Sequence, residues 1–350
     1  MENIIIGSNV IPLINKNRIV CAASSVVIIT DDHVANHWLQ PILEILKRKI
    51  VTVIIIRSGE NNKTLVTLKM IWNKMLKGRA DRSSVVVTLG GGVVCDIGGF
   101  AAATFMRGLP VIHIPTTLLA QVDAGVGGKT AINFGRIKNC IGVFHQPTAV
   151  IIDVQTLKTL PHRQLVSGIS EIIKHAIIAD SGLLKLLLDI DLNEINEQDL
   201  IQIIKQSIGI KTSIVKKDEK ENNGIRKQLN FGHTVGHAVE SLSLKTNNEL
   251  LHGEAVAIGM IAETHMSFLS DCISKKEEDV IKSVISHVKL PSSLRGMSVS
   301  AITEIIKKDK KNNSGKILWS LPLTIGKVKT DMVLTDEIIR KGILSIINMI

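Results

Sequence analysis

Residues 84–108, SVVVTLGGGVVCDIGGFAAATFMRG, decide how the first half of this chain folds. A continuous β-branched run ends in Gly90, Gly91 and Gly92, and a small-residue apolar stretch follows, with Asp96 expected where a helix begins. Strand, glycine turn and helix in that order let backbone N–H groups approach an anion closely at the helix N-terminus. The spacing is not G-x-G-x-x-G, and a plain tight turn accounts for three glycines about as well. Working outward, SVVIIT (25–30), VTVIII (51–56), PVIHIP (110–115) and AVIID (149–153) are further apolar runs closed by turn signals, as buried strands are. Helical stretches lie between them, at 33–49 and 64–78. Short strands alternating with helices predict a mostly parallel, Rossmann-like sheet covered on both faces.

From about residue 162 the strand pattern stops. QLVSGISEIIKHAIIAD (164–180) places Leu165, Ile169, Ile172 and Ala176 on one helical face, with Glu171, Lys174 and His175 on an adjoining one. Helical periodicity continues through 199–217, 255–271 and 277–288, and only KILWSLPLTIGKVKT (316–330) looks strand-like. The expected architecture is an α/β N-terminal domain, residues 1–160, followed by an all-helical C-terminal domain, residues 161–350, with a cleft between them.

With 45% hydrophobic and 21% charged residues, the chain has a globular composition. The formal charge of +10 is dispersed, aromatic residues are only 3% and tyrosine is absent, so there is no stacking platform for nucleic acid. No apolar run reaches membrane-spanning length, and the N-terminus lacks a secretory pattern. Cys21, Cys95, Cys140 and Cys272 are scattered without a C-x-x-C, which fits reduced thiols in the cytoplasm.

The second half holds the densest chemistry. LNFGHTVGHAVES (229–241) and LLHGEAVAIGM (250–260) bring His233, His237, Glu240, His252 and Glu254 close together in sequence. An i, i+4 histidine pair alone is common on ordinary helices. Two imidazoles with a carboxylate, however, suit Zn²⁺ and leave a position open for substrate. The first half adds polar strand ends. RSGENNKT (57–64) carries Glu60 and Lys63; IPTTLLAQVDAGVGGKTAIN (114–133) carries Thr116, Thr117, Asp123 and Lys129; and GRIKNCIG (135–142) carries Lys138 and Asn139.

Together with 84–108 and SGISEIIKHAI (167–177), these segments resemble the 3-dehydroquinate synthase family, in order and spacing, from about residue 25 to 330. The resemblance implies Glu171, His233 and His252 as ligands of Zn²⁺, with Co²⁺ also suited to the set, and His237 facing the substrate. Spacing alone would have ligated both His233 and His237. It further implies Lys174, Lys211, Arg226, Asn230 and Lys310 or Lys311 as substrate contacts, and Asp123, Lys129 and Asn139 around the reacting sugar. Arg107 would reach a phosphate across a homodimer interface. For NAD it implies Asp31, Glu60, Lys63, Gly91, Gly92, Val93, Asp96, Thr116, Thr117, Lys129, Lys138 and Thr159.

The activity implied is conversion of 3-deoxy-D-arabino-heptulosonate 7-phosphate to 3-dehydroquinate and phosphate, in the shikimate pathway of aromatic amino acid biosynthesis. It would proceed by transient oxidation, phosphate β-elimination, re-reduction and aldol closure. Three places depart from the family pattern: Cys95 where glycine is usual, Ala124-Gly125 where two serines are common, and NFGRIKN (133–139) in place of a His-Pro turn; His33 also stands where asparagine is typical. A sibling sugar-phosphate cyclase, a polyol dehydrogenase and an inactive binding relative are the competing readings.

Overall fold

The computed structural model describes residues 3–135, 137–192, 194–244, 246, 248–307 and 317–348. The chain divides into two compact units, Met1–Pro161 with Glu197–Lys205, and His162–Asn196 with Gln206–Ile350.

The first unit is built on a six-stranded sheet in the order β1-β8-β5-β4-β2-β3. The strands are β1 (Ile4–Gly7), β2 (Val26–Asp31), β3 (Val51–Ile56), β4 (Val85–Gly90), β5 (Val111–Pro115) and β8 (Ala149–Asp153). Every pairing in the sheet is parallel. β2, β4, β5 and β8 are buried along their whole length, as strands covered on both faces are. Successive residues serve opposite cores. Val27 and Ile29 pack with Leu68, Ile71, Val94 and Ile97 on one face. Val26 and Ile28 pack with Ile42, Leu46, Ile112 and Ile114 on the other.

The chain runs from β2 out to β3, then crosses to β4 on the far side of β2 and continues outward through β5. The sheet therefore switches direction between β2 and β4. Outside the carboxyl ends of such a strand pair, open parallel sheets form their ligand crevice. Here those ends are Asp31 and Gly90.

Two elements of this unit escape a reading of the sequence. The first is β1, a four-residue, half-buried strand. The second is an antiparallel hairpin, β6 (Lys129–Phe134) with β7 (Ile137–Phe144). Its residues read as polar strand ends because β7 is exposed throughout. The helix after the glycine turn also starts earlier than expected. It spans Gly92–Thr104, because Gly92 already takes helical geometry, so Asp96 sits in its second turn instead of at its start.

Among its described residues the second unit is mostly helical, with a hairpin of β9 (Trp319–Thr324) and β10 (Lys327–Met332). Its centre is the helix His252–Leu269, buried from Gly253 through Thr264. An all-round apolar helix needs neighbours on every side. Here the neighbours come close enough to touch its backbone. A Cβ on Gly259 would overlap the Gly232 carbonyl oxygen, and one on Gly253 would overlap the Ser167 carbonyl oxygen. The helices His162–Ala179, His233–Ser243 and His252–Leu269 are thus drawn together at their glycines. Among the described residues, no helix is long and apolar enough to cross a membrane.

Candidate metal centre and nucleotide turn

Each of the three clustered helices of the second unit contributes one ligand-type side chain. Glu171, His233 and His252 each offer one atom, all lying within 4.8 Å of one another. The Nε2 atoms of His233 and His252 stand 3.6 and 3.9 Å from Glu171 Oε1. Both rings turn the other nitrogen to an acceptor. His233 Nδ1 is 3.1 Å from the Phe231 carbonyl, and His252 Nδ1 is 3.2 Å from Glu240 Oε2. A carbonyl and a carboxylate can only accept, so each contact assigns a proton to Nδ1, and in the neutral ring the Nε2 lone pair faces Glu171.

Glu171 is fully buried. Lys174 forms an ion pair with its Oε2, yet neither carboxylate oxygen meets a hydrogen-bond donor in bonding geometry among the described residues. A buried carboxylate left in that state is costly, and a divalent cation facing it removes the cost. Two neutral imidazoles and one carboxylate, with room for further ligands, are a donor set suited to Zn²⁺ or Co²⁺.

Local sequence explains how these side chains are held. The His233 helix opens at Gly232, which has φ +78° and no capping side chain. The buried Glu263 carboxylate takes over that role, accepting from Gly232 N at 2.6 Å and Val235 N at 3.0 Å. At the His252 helix, Glu254 closes back on the Leu251 N–H at 2.8 Å and is gripped by both Nε and Nη2 of Arg163, each at 2.7 Å. His237, one turn beyond His233, has its ring centroid 5.1 Å from that of His233 and 5.9 Å from that of His252.

His237, Glu240 and His252 form a second grouping whose ligand atoms also lie within 4.8 Å of one another, and it shares His252 with the first. Of the remaining expected substrate contacts in this unit, Lys211 and Arg226 are buried, and Arg226 donates to the Glu219 carbonyl at 2.9 Å. Asn230 ends the short helix just before His233. Lys310 and Lys311 lie outside the described residues.

In the first unit, Lys63, Asp96 and Glu60 form one cluster. The buried Lys63 ammonium lies 2.9 Å from Asp96 Oδ2 and 3.0 Å from Glu60 Oε1. Burial works against the charge on Lys63, but the two carboxylates outweigh it and raise its pKa. Burial pushes Asp96 up to about 6, against the pull of Lys63, with Glu60 and Asp123 adding to the rise. Asp31, at the end of β2, caps the turn that follows by accepting from His33 N and Val34 N, and burial raises its pKa too.

The glycine turn is tightly constrained. Cβ atoms at Gly91 and Gly92 would lie 3.1 Å from Thr117 Cγ2 and 3.2 Å from Ala124 Cβ, so the turn itself leaves little space for side chains. Val93 follows in the first helical turn, and Gly91 caps the helix with no side chain, leaving its first amides without a side-chain acceptor. The Cys95 thiol is buried, lies 3.9 Å from both the Thr88 hydroxyl and the Gly90 carbonyl, and is pushed up to about 12 by burial. It is a protonated packing group in the helix–sheet interface.

The other expected positions are more scattered. Thr116 ends in a buried hydroxyl with no partner among the described residues, while Thr117 accepts from Ala120 N. Thr159 accepts from the Trp38 indole at 3.0 Å. Lys129, Lys138 and Asn139 lie exposed on the β6–β7 hairpin, and Asp123 sits in the turn Ala120–Ala124. Arg107 is exposed and left-handed at φ 74°, directly after Met106 at φ 48°. Consecutive non-glycine residues in that region are costly and often mark functional turns.

Asn133 and Glu240 were not among the expected site residues. Asn133 donates to Glu60 Oε1 at 2.9 Å and accepts from the Asn139 backbone N–H at 2.9 Å, so it joins the carboxylate cluster to the hairpin. Its place in TAIN beside Lys129 was a possible signal; for Glu240 the signal was the regular step from His233 and His237.

One consequence of the cluster can be measured directly. A carboxyl signal titrating near pH 6 is expected in the ligand-free protein and should vanish in Asp96→Asn. Because the folded pKa lies above the unfolded one, the folded state holds this proton more tightly. Asp96's contribution to stability is therefore greatest below the unfolded pKa and falls as pH rises to about 6. A carboxyl carbon titration by NMR in which Asp96 titrates near pH 4 contradicts this.

Comparison with known proteins places this architecture in a class. Over 99% of its length the chain superposes on 96% of 2-epi-5-epi-valiolone synthase from Streptomyces hygroscopicus subsp. jinggangensis 5008, with TM-score 0.88 and 25% identity; that structure has NAD⁺ and Zn²⁺ bound. The fold, a parallel-sheet unit with a largely helical one, is thus that of this synthase. Family models described as 3-dehydroquinate synthase N-terminal and C-terminal match residues 53–167 and 168–312. The 3-dehydroquinate synthase of Ruminiclostridium cellulolyticum is 40% identical over 92% of this chain and 90% of its own. That of Desulforamulus reducens is 44% identical over 87% and 85%. The chain belongs to the 3-dehydroquinate synthase family.

Proposed function

We propose that this chain is an active 3-dehydroquinate synthase, a phosphate-eliminating lyase that converts 3-deoxy-D-arabino-heptulosonate 7-phosphate to 3-dehydroquinate and phosphate. The observation that carries the reading is the convergence of Glu171, His233 and His252 in a chain 40% identical to a 3-dehydroquinate synthase over 92% of its length. An inactive relative has no need to keep two inward-facing Nε2 lone pairs opposite a buried carboxylate.

Glu171, His233 and His252 would hold Zn²⁺ or Co²⁺, and the Gly91–Gly92 turn with the Lys63–Asp96–Glu60 cluster would hold NAD. When bound, the metal supplies Lewis acidity toward substrate hydroxyls, and the dinucleotide supplies reversible hydride acceptance. Asp31, Val93, Thr116, Thr117, Lys138 and Thr159 complete the proposed nucleotide contacts.

The remaining work belongs to the chain's own side chains. His237, beside both ligand imidazoles, is placed to orient a substrate hydroxyl. Lys129, Lys174, Lys211 and Arg226 would meet the substrate's carboxylate and phosphate, with Asp123, Asn139 and Asn230 contacting its hydroxyls and carbonyl. Fixing a flexible polyanionic sugar at both ends removes orientational freedom that would otherwise add to the barrier. Lys311 and a cytoplasmic location belong to the same reading. So does a homodimer in which Arg107 serves the neighbouring subunit, a role that fits an exposed, conformationally restricted arginine.

The test follows phosphate and reduced nicotinamide together, using enzyme, Zn²⁺, a small amount of NAD⁺ and the heptulosonate phosphate. A cyclase returns the hydride, so phosphate is expected to exceed total NAD⁺ many times while NADH absorbance stays flat. NADH rising in proportion to substrate consumed, or turnover of glycerol without phosphate release, assigns the chain to polyol dehydrogenation instead.

A further inference from the structure

We infer that Glu240 is a positioning residue for the metal centre. It holds the His252 imidazole so that Nε2 faces Glu171, and it restricts the cluster to a single cation. The inference rests on the metal reading of Glu171, His233 and His252 proposed above, and deepens it.

The two imidazoles are supported unequally. His233 gives its Nδ1 proton to the main-chain carbonyl of Phe231, a partner that no side-chain substitution removes. His252 is the first residue of its helix, and its side chain is 27% exposed against 11% for His233. Its Nδ1 meets a side chain, Glu240 Oε2, at 3.2 Å, and the Glu240 side chain is itself only 12% exposed. Glu240 lies two helical turns beyond His233 and one beyond His237, so a single helix presents a ligand, a substrate-side histidine and the support for the other ligand. A carboxylate behind an imidazole fixes the ring and makes its far nitrogen a stronger donor.

The same contact settles how His252 is shared. It belongs to two possible ligand sets, Glu171–His233–His252 and His237–Glu240–His252. While Nδ1 holds its proton for Glu240 Oε2, that nitrogen cannot ligate, which leaves Nε2, 3.9 Å from Glu171 Oε1, for the first set. His237 is left outside the coordination sphere and available to the substrate.

The experiment measures zinc affinity by competition with a chromophoric chelator, zinc content per chain, and the His252 tautomer by ¹⁵N NMR on metal-free protein. Wild type is expected to bind one zinc per chain, with His252 protonated at Nδ1. Glu240→Ala should bind zinc about 10–100-fold more weakly and show a mixed His252 tautomer. Glu240→Gln keeps an acceptor for Nδ1, so it should recover the tautomer and most of the affinity. Melting temperatures of the metal-free proteins should agree, which separates positioning from general damage. Unchanged affinity and tautomer in Glu240→Ala overturn the inference, as do two zinc ions per wild-type chain. If wild type binds no zinc at all, the underlying metal reading fails instead.

Discussion

His233→Ala and Glu171→Ala are each expected to purify without zinc or cobalt and to lose activity on the order of a thousandfold or more. Removing either leaves two protein ligands, too few to hold a catalytic divalent ion against its hydration. Lewis-acid stabilisation contributes several kcal/mol to such chemistry, and each 1.36 kcal/mol is a factor of ten in rate. His237→Ala should behave differently: it is expected to keep its metal and turn over poorly, because its ring neighbours the ligand imidazoles without being needed by the Glu171 set. Metal analysis beside steady-state kinetics decides the matter. A metal-free His237 variant together with a metal-loaded His233 variant would reverse the ligand assignment.

Gly253→Ala is also expected to weaken the metal centre, although the added group is one methyl and carries no charge. At that position a Cβ would overlap the Ser167 carbonyl oxygen and the Ser170 hydroxyl, on the helix that carries Glu171. The Gly253 N–H also reaches the Ser167 hydroxyl at 3.2 Å, so the two helices are already in contact there. Relief requires the start of the His252 helix to move away, taking His252 from Glu171. Overpacking of this kind costs about 1–3 kcal/mol or more, and the loss of ligand geometry should appear as zinc affinity reduced at least tenfold. Gly259→Ala meets the Gly232 carbonyl in the same way and should act through the His233 side of the centre. Zinc titration with thermal melts provides the check; a Gly253→Ala protein with wild-type affinity and melting temperature would show that the helices separate without cost.

The parts of this structure legible in the sequence are those whose physics is local. β2, β4, β5 and β8 are buried on both faces and therefore appear as unbroken β-branched runs. β1 gives too short a run to distinguish, and β7 is exposed along its length, so neither has a periodicity that points to a core. In the metal centre, histidine spacing marked the helix but could not choose between His233 and His237. That choice depends on which ring shares a site with Glu171 and His252, and those three side chains meet only in the fold. Glu171 comes from a helix far earlier in the chain and was assigned through resemblance to a family. The demand for glycine at 253 and 259 arises from backbones meeting across helices, which no local pattern displays.

The pairing of β1 with β8 bears on how the molecule is made. Asn3 donates to the Thr148 carbonyl, 145 residues away, and Ile4 pairs in register with Val150. At a synthesis rate of roughly 5–20 residues per second, the first strand emerges on the order of ten seconds before its neighbour. Meanwhile β2, β3, β4 and β5 can assemble from shorter-range connections, so the sheet grows from its middle and β1, though made before them, joins it last. Until β8 is made, IIIG is an apolar strand without its sheet partner, and of the six strands it waits longest for a neighbour.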